Sequence, residues 1–112
     1  MNIIKKAFIM TSTFDRRWNK LKLSDNDLQE LEIFIMQNPD AGDVIPETGG
    51  AVKLRWSLSD KGKRGGIRVI YVDVVSKAHI HLLLCYSKNE QDDLSNEQKK
   101  QIIKLIKILK GE

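Results

Sequence analysis

A chain of 112 residues with 41% hydrophobic and 30% charged side chains is one ordinary domain's worth of material, and a chain this short still buries upwards of ~60% of its unfolded surface without covalent staples. A single cysteine, Cys85, excludes an internal disulfide framework and fits a reducing compartment. No apolar run approaches the roughly 20 residues that cross a bilayer, and Met1 to Met10 is too short and, with Lys5 and Lys6, too charged for a signal peptide; the expectation is a cytoplasmic protein with no membrane partner.

The first element expected is a strand over residues 6–12, in an imperfectly alternating stretch that begins with Ile3 and Ile4 and holds Phe8 and Ile9. A short helical segment follows over Phe14 to Lys20. In Leu23-Ser24-Asp25-Asn26-Asp27-Leu28, Ser24 can cap a helix with Asp27 at the capping-box position, and Leu23 and Leu28 are spaced as a hydrophobic staple. Leu28, Leu31, Phe34 and Ile35 then recur at helical spacing until Asn38-Pro39 ends the ladder. Residues 39–50, with both prolines and three glycines, read as a loop.

From Val52 the period becomes two: Val52, Leu54, Trp56 and Leu58 face one way, Lys53, Arg55 and Ser57 the other. A connection from Asp60 to Gly66 leads into a β-branched run, Ile67 to Val75, and after the break at Ser76-Lys77-Ala78 into an apolar run, His79 to Tyr86, consistent with a hairpin. Leu94, Ile102, Leu105, Ile106 and Leu109 form the stripe of a closing amphipathic helix, with Lys100, Lys104 and Lys107 opposite. The predicted fold is a single α+β domain over residues 1–112. It is a compact antiparallel sheet of about four strands, with two N-terminal helices and a C-terminal helix on one face and the other face free.

The net charge of +4 is unevenly placed. Ala51 to Arg68 holds six cations (Lys53, Arg55, Lys61, Lys63, Arg64 and Arg68) against Asp60 alone, so these eighteen residues carry +5 and the rest of the chain sums to −1. A basic hairpin can protect a sheet edge; it can also grip an anion, most plausibly a nucleic-acid backbone. Other chemistries fit poorly. His79 and His81 share a strand face but no third ligand stands at a suitable spacing, so no metal is expected. Cys85 sits in an apolar run that keeps its thiol protonated, and Gly62 to Gly66 lacks the ending of a phosphate loop. No cofactor is implied. Lys53 and Arg55 project together from one strand, and Arg68 joins them if the register allows. Three clustered cations without an anion imply a ligand that supplies the missing charge.

The segments Asn38-Pro39, Gly42-Asp43-Val44-Ile45, Thr48-Gly49-Gly50, Lys53-Leu54-Arg55-Trp56, Gly62 to Tyr71, Tyr86-Ser87-Lys88-Asn89-Glu90 and Asp93-Leu94-Ser95, in that order, resemble HigB-type toxins of the RelE/ParE superfamily. The resemblance spans nearly the whole chain from Phe14. It implies the toxin of a type II toxin–antitoxin pair, a ribosome-dependent mRNA interferase that cleaves the codon in the ribosomal A site. The implied partners are a HigA-like helix-turn-helix antitoxin, the 70S ribosome with its 16S rRNA, the mRNA, and operator DNA through the antitoxin only.

Carried over position by position, the resemblance assigns catalysis to Lys53, Arg55, Arg68 and Lys88. The implied reaction is metal-independent attack by the RNA 2′-hydroxyl, with Arg55 and Arg68 holding the developing charge. Lys53 is the candidate base, because neighbouring cations disfavour the charged form of an amine. Lys61, Lys63 and Arg64 would anchor ribosomal RNA phosphates, and Trp56 and Tyr86 offer either stacking surfaces or core packing. Two positions depart from RelE-like members: Asn89, a candidate RNA contact, stands where an arginine is usual, and Ser95 where a tyrosine is. Two alternatives remain: a ParE-like toxin that inhibits DNA gyrase by protein binding, and a degenerate member that only binds its antitoxin.

Overall fold

The computed structural model describes residues 6–57 and 66–112. Its elements run β1 (Ala7–Met10), α1 (Ser12–Lys20), α2 (Asp25–Gln37), β2 (Asp43–Val44), β3 (Val52–Trp56), β4 (Ile67–Val74), β5 (His79–Ser87) and α3 (Asn96–Leu109). The expectations for Leu58 and for the connection through residue 65 fall outside the described residues, as do Ile3 and Ile4.

Local chemistry accounts for the helix starts. Thr11 caps α1 by accepting from the Phe14 N–H, and its hydroxyl donates to the Leu83 carbonyl oxygen at 2.8 Å, tying the helix entry to β5. The box expected at Ser24 and Asp27 is present in α2, each side chain accepting from the other's backbone N–H. Ser95 and Gln98 form the same box at α3. The β4–β5 link is a single 3-10 turn, Val75–Lys77, that ends with Ala78 in the left-handed region at φ 53°.

The sheet has five strands in the order β1-β5-β4-β3-β2 and is mixed: β1 runs parallel to β5, the other pairs antiparallel. This corrects the expected four antiparallel strands. The added strand, β2, lies in the stretch read as a loop; two residues between proline and glycine signals are too short for a period of two to register. Its pairing needs Gly42, where a Cβ would collide with Val52. Ile70 opposes Leu84 and Tyr71 opposes Leu82, so Leu83 is an extra residue bulged out of β5.

The helices do not share a face, contrary to expectation. Alternate strand residues feed two cores. Leu54, Trp56, Ile67, Val69, Tyr71 and Leu82 meet Phe14, Trp18, Leu31 and Ile35 from α1 and α2. On the opposite face Ile70, Val72, Val74 and Leu84 meet Ile102 and Ile106 from α3. The β5 bulge adds Leu83 to the α3 side beside Leu84, which widens the platform under that helix. An amphipathic helix must bury its stripe somewhere, and with one face occupied by α1 and α2 the remaining one is where α3 goes.

Candidate functional site

Register settles what spacing left open. Arg55 opposes Arg68, and Arg68 opposes Tyr86, so three consecutive strands place these residues in one row. Opposed residues of an antiparallel ladder project to the same side. That side is the α3 face, since Trp56 and Leu54 alternate onto the other. Lys53, two residues from Arg55 and opposite Ile70, lies on the same face one step closer to α3. The sheet thus carries the cations on the portion of its second face that the apolar residues of α3 leave uncovered.

Their environments differ. Arg68 is 8% exposed, whereas Arg55 is exposed and Lys53 half-buried. A guanidinium this enclosed is fixed in direction by its surroundings, and its planar fork suits it to bind phosphate oxygens in pairs. The cluster is also not without an anion. The Asp93 carboxylate, in the turn leading into α3, lies 3.5 Å from Lys53 Nζ and accepts the Leu94 N–H at 2.8 Å. Sequence reading missed Asp93 as a site residue because the fold brings it to Lys53 from forty residues away.

Tyr86 is fully buried beside Arg68, with its hydroxyl enclosed and without a hydrogen-bond partner among the described residues. Burial foremost, then the Asp93 charge, push its phenol above the ordinary tyrosine range, with Arg68 opposing. The phenol is therefore neutral near pH 7 and has no open face for a base. Trp56 is on the other side of the sheet, stacked on Trp18 at 5.9 Å between ring centroids, and Trp18 in turn stacks on Phe14 at 5.5 Å. It is 6% exposed; both aromatics take the packing alternative. Lys88 and Asn89 are exposed in the turn just beyond β5, at the end of the sheet where the row lies. Lys61, Lys63 and Arg64 lie outside the described residues.

The remaining chemistry narrows further. Cys85 is buried, its thiol pushed up to about 12 mainly by burial, against a lowering by Arg17 and with Glu90 adding to the rise; it is no nucleophile. His79 and His81 meet edge-to-face at 5.8 Å, and among the described residues no three His, Cys, Asp or Glu side chains cluster as metal ligands. A cleft of about 370 Å³ between α1 and α3, with Arg16, Arg17, Gln98 and Leu105 on its walls, contains none of Lys53, Arg55 or Arg68. The cations sit on a sheet surface outside that cleft, Arg55 exposed, Lys53 half-buried and Arg68 enclosed behind them, an arrangement better suited to the edge of an extended polyanion than to an enclosed small molecule. Among the described residues no helix is long and apolar enough to cross a membrane.

A small α+β fold with two N-terminal helices and a guanidinium-bearing strand pair defines a class of compact cationic sheet proteins. Residues 5–111 match the family model described as the RelE toxin of the RelE/RelB toxin–antitoxin system, and the chain belongs to that family. A free E. coli RelE in which two arginines are replaced by alanine is similar over 91% of this chain and 98% of that one, with a TM-score of 0.60 at 14% identity. The isolated E. coli RelE toxin in its P21 form is similar over 89% of this chain and 98% of that one, with a TM-score of 0.54 at 11% identity. The intact E. coli RelBE toxin–antitoxin complex covers 73% and 95%, with a TM-score of 0.52 at 14% identity. These likenesses share the fold. The protein is thus a RelE-like toxin of a toxin–antitoxin system, and the matching family gives no support to the gyrase-directed alternative.

Proposed function

We propose that this toxin is a ribosome-dependent mRNA interferase of the HigB type, acting in the cytoplasm and neutralised by a HigA-like antitoxin. The observation that carries the reading is the in-register row of Arg55 and Arg68 with Lys53 on the same face. In the proposed reaction the RNA 2′-oxygen bonds to the adjacent phosphorus while the bond from phosphorus to the 5′-oxygen breaks. The products are a cyclic phosphate and a 5′-hydroxyl end. Lys53 Nζ takes the 2′-proton and the departing oxygen takes one from water. Arg68, held rigidly, and Arg55 offer donors to the phosphate oxygens as their charge grows; Lys88 supports them from the turn. Lys61, Lys63, Arg64 and Asn89 are proposed contacts to 16S rRNA within the 70S ribosome, which supplies the positioning.

The row explains why no metal is needed in this proposal: three cationic side chains converge where the transition state gains charge. Induced expression followed by mapping of mRNA ends tests it. The expected result is rapid loss of protein synthesis with cuts inside codons, while Arg68→Ala, with its melting temperature kept, lowers cleavage by about 10²–10³-fold, the usual effect of removing one donor aimed at a transition-state charge. Cleavage at the wild-type rate by folded Arg68→Ala would remove the catalytic assignment. Harmless overexpression of the soluble wild type without antitoxin would instead favour an antitoxin-binding role alone.

A further inference from the structure

Asp93 takes no part in the scheme above, yet its carboxylate forms an ion pair with Lys53 of the cationic row. Its own position is fixed from α3, because it accepts the Leu94 N–H just before the Ser95 cap. The pair is half open to solvent, with side-chain exposures of 25% for Lys53 and 70% for Asp93. Such pairs add little to folding stability, so stability is a poor reason for placing an anion where a polyanion would bind. The carboxylate also weakens the attraction that Arg55, Arg68 and Lys53 exert on any phosphate. Its charge is also felt at Tyr86, the residue opposite Arg68 in the row.

We propose that Asp93 is a positioning residue of this site: paired with Lys53, it orients that side chain toward the row, while weakening phosphate binding at rest. The inference rests on the reaction proposed above. A carboxylate behind a base does two things at once. It holds the Lys53 side chain in one direction, so less order has to be gained at the chemical step. It also repels the ground-state phosphate, which keeps substrate and product from binding too tightly.

These two effects separate experimentally. Asp93→Asn keeps an oxygen that can accept the Leu94 N–H and removes only the charge. In ribosome-programmed mRNA cleavage, kcat is expected to fall by about tenfold, as when a reacting group is misplaced, while KM falls as well. Binding of a short single-stranded RNA oligonucleotide by the purified full-length chain tightens, and the slope of log affinity against log salt steepens by about 0.7, the increment for one additional phosphate neutralised on a single strand. Asp93→Glu restores part of kcat, and the melting temperatures of all three proteins agree. A merely structural residue would change stability and leave the salt slope alone. Wild-type kcat, KM and salt slope in folded Asp93→Asn, or no recovery in Asp93→Glu, would overturn the inference while leaving the interferase reading intact. Wild-type protein that leaves mRNA whole on the ribosome would remove that reading, and this one with it.

Discussion

The two faces of the sheet are built from the same strands and serve different ends. On the α1–α2 side Leu54, Trp56, Ile67, Val69, Tyr71 and Leu82 meet the helices with apolar and aromatic side chains, and Phe14, Trp18 and Trp56 stack into a continuous layer. On the α3 side the apolar residues stop partway: Ile70 and Leu84 are covered by Ile102 and Ile106, and one step further along the strands stand Arg55 and Arg68. A strand's period of two makes this division possible, since a change at an even position of β4 leaves the odd positions untouched. Stability and charge can therefore be altered separately in one five-stranded sheet.

The largest expected break in this comparison is on the α1–α2 side. Trp18→Ala removes the middle ring of the stack and its Nε1 hydrogen bond to the Ser24 carbonyl oxygen at 3.2 Å, at a cost of about 3–5 kcal/mol typical of a buried aromatic truncation. Urea titration reads it directly. Cleavage per folded molecule should stay near the wild-type level because no residue of the row touches that layer. Loss of activity in molecules still folded would show that the faces are coupled.

A smaller effect sharpens the contrast between helix starts. Ser24→Ala and Ser95→Ala each remove one half of a capping box, and each should lower stability by about 0.5–2 kcal/mol. Only Ser95→Ala disturbs the turn that carries Asp93. Equal stability losses with reduced mRNA cleavage in Ser95→Ala alone are expected; equal cleavage in both variants would place the two caps on the same footing.

The pattern of legibility follows the same division. Strand β3 could be read down to the facing of individual residues, because alternation of Val52, Leu54 and Trp56 with Lys53 and Arg55 is a local property. The start of α2 was legible for the same reason, as the Ser24–Asp27 box is written within four residues, whereas the caps at Thr11 and Ser95 were not read. The parallel pairing of β1 with β5, the bulge at Leu83 and the placement of α3 opposite α1 were not, since each depends on contacts between distant parts of the chain. At the site, co-projection of Lys53 and Arg55 was visible in their spacing. The entry of Arg68 waited on register, and Asp93 on the path of the chain into α3.

The smallest effect concerns the end of the α3 face farthest from the cations. His81 opposes Val72 and lies against His79, with 8% exposure. Burial, then the neighbouring charges of His79 and Lys77, hold it below the ordinary value of 6.5. Just below that value the unfolded chain takes up a proton that the folded chain refuses, so the unfolded state binds more protons and stability falls as pH falls. The loss begins near 6.5 and continues down to the depressed value in the fold. Melting temperatures measured between about pH 7.5 and 5.5, above the range where ordinary carboxylates titrate, should decline more steeply for the wild type than for His81→Gln, which keeps a polar side chain but takes up no proton. The α1–α2 core contains no histidine, so Trp18→Ala should lower the whole curve and leave its slope unchanged. If His81→Gln follows the wild-type slope instead, the acid sensitivity of this face comes from another group.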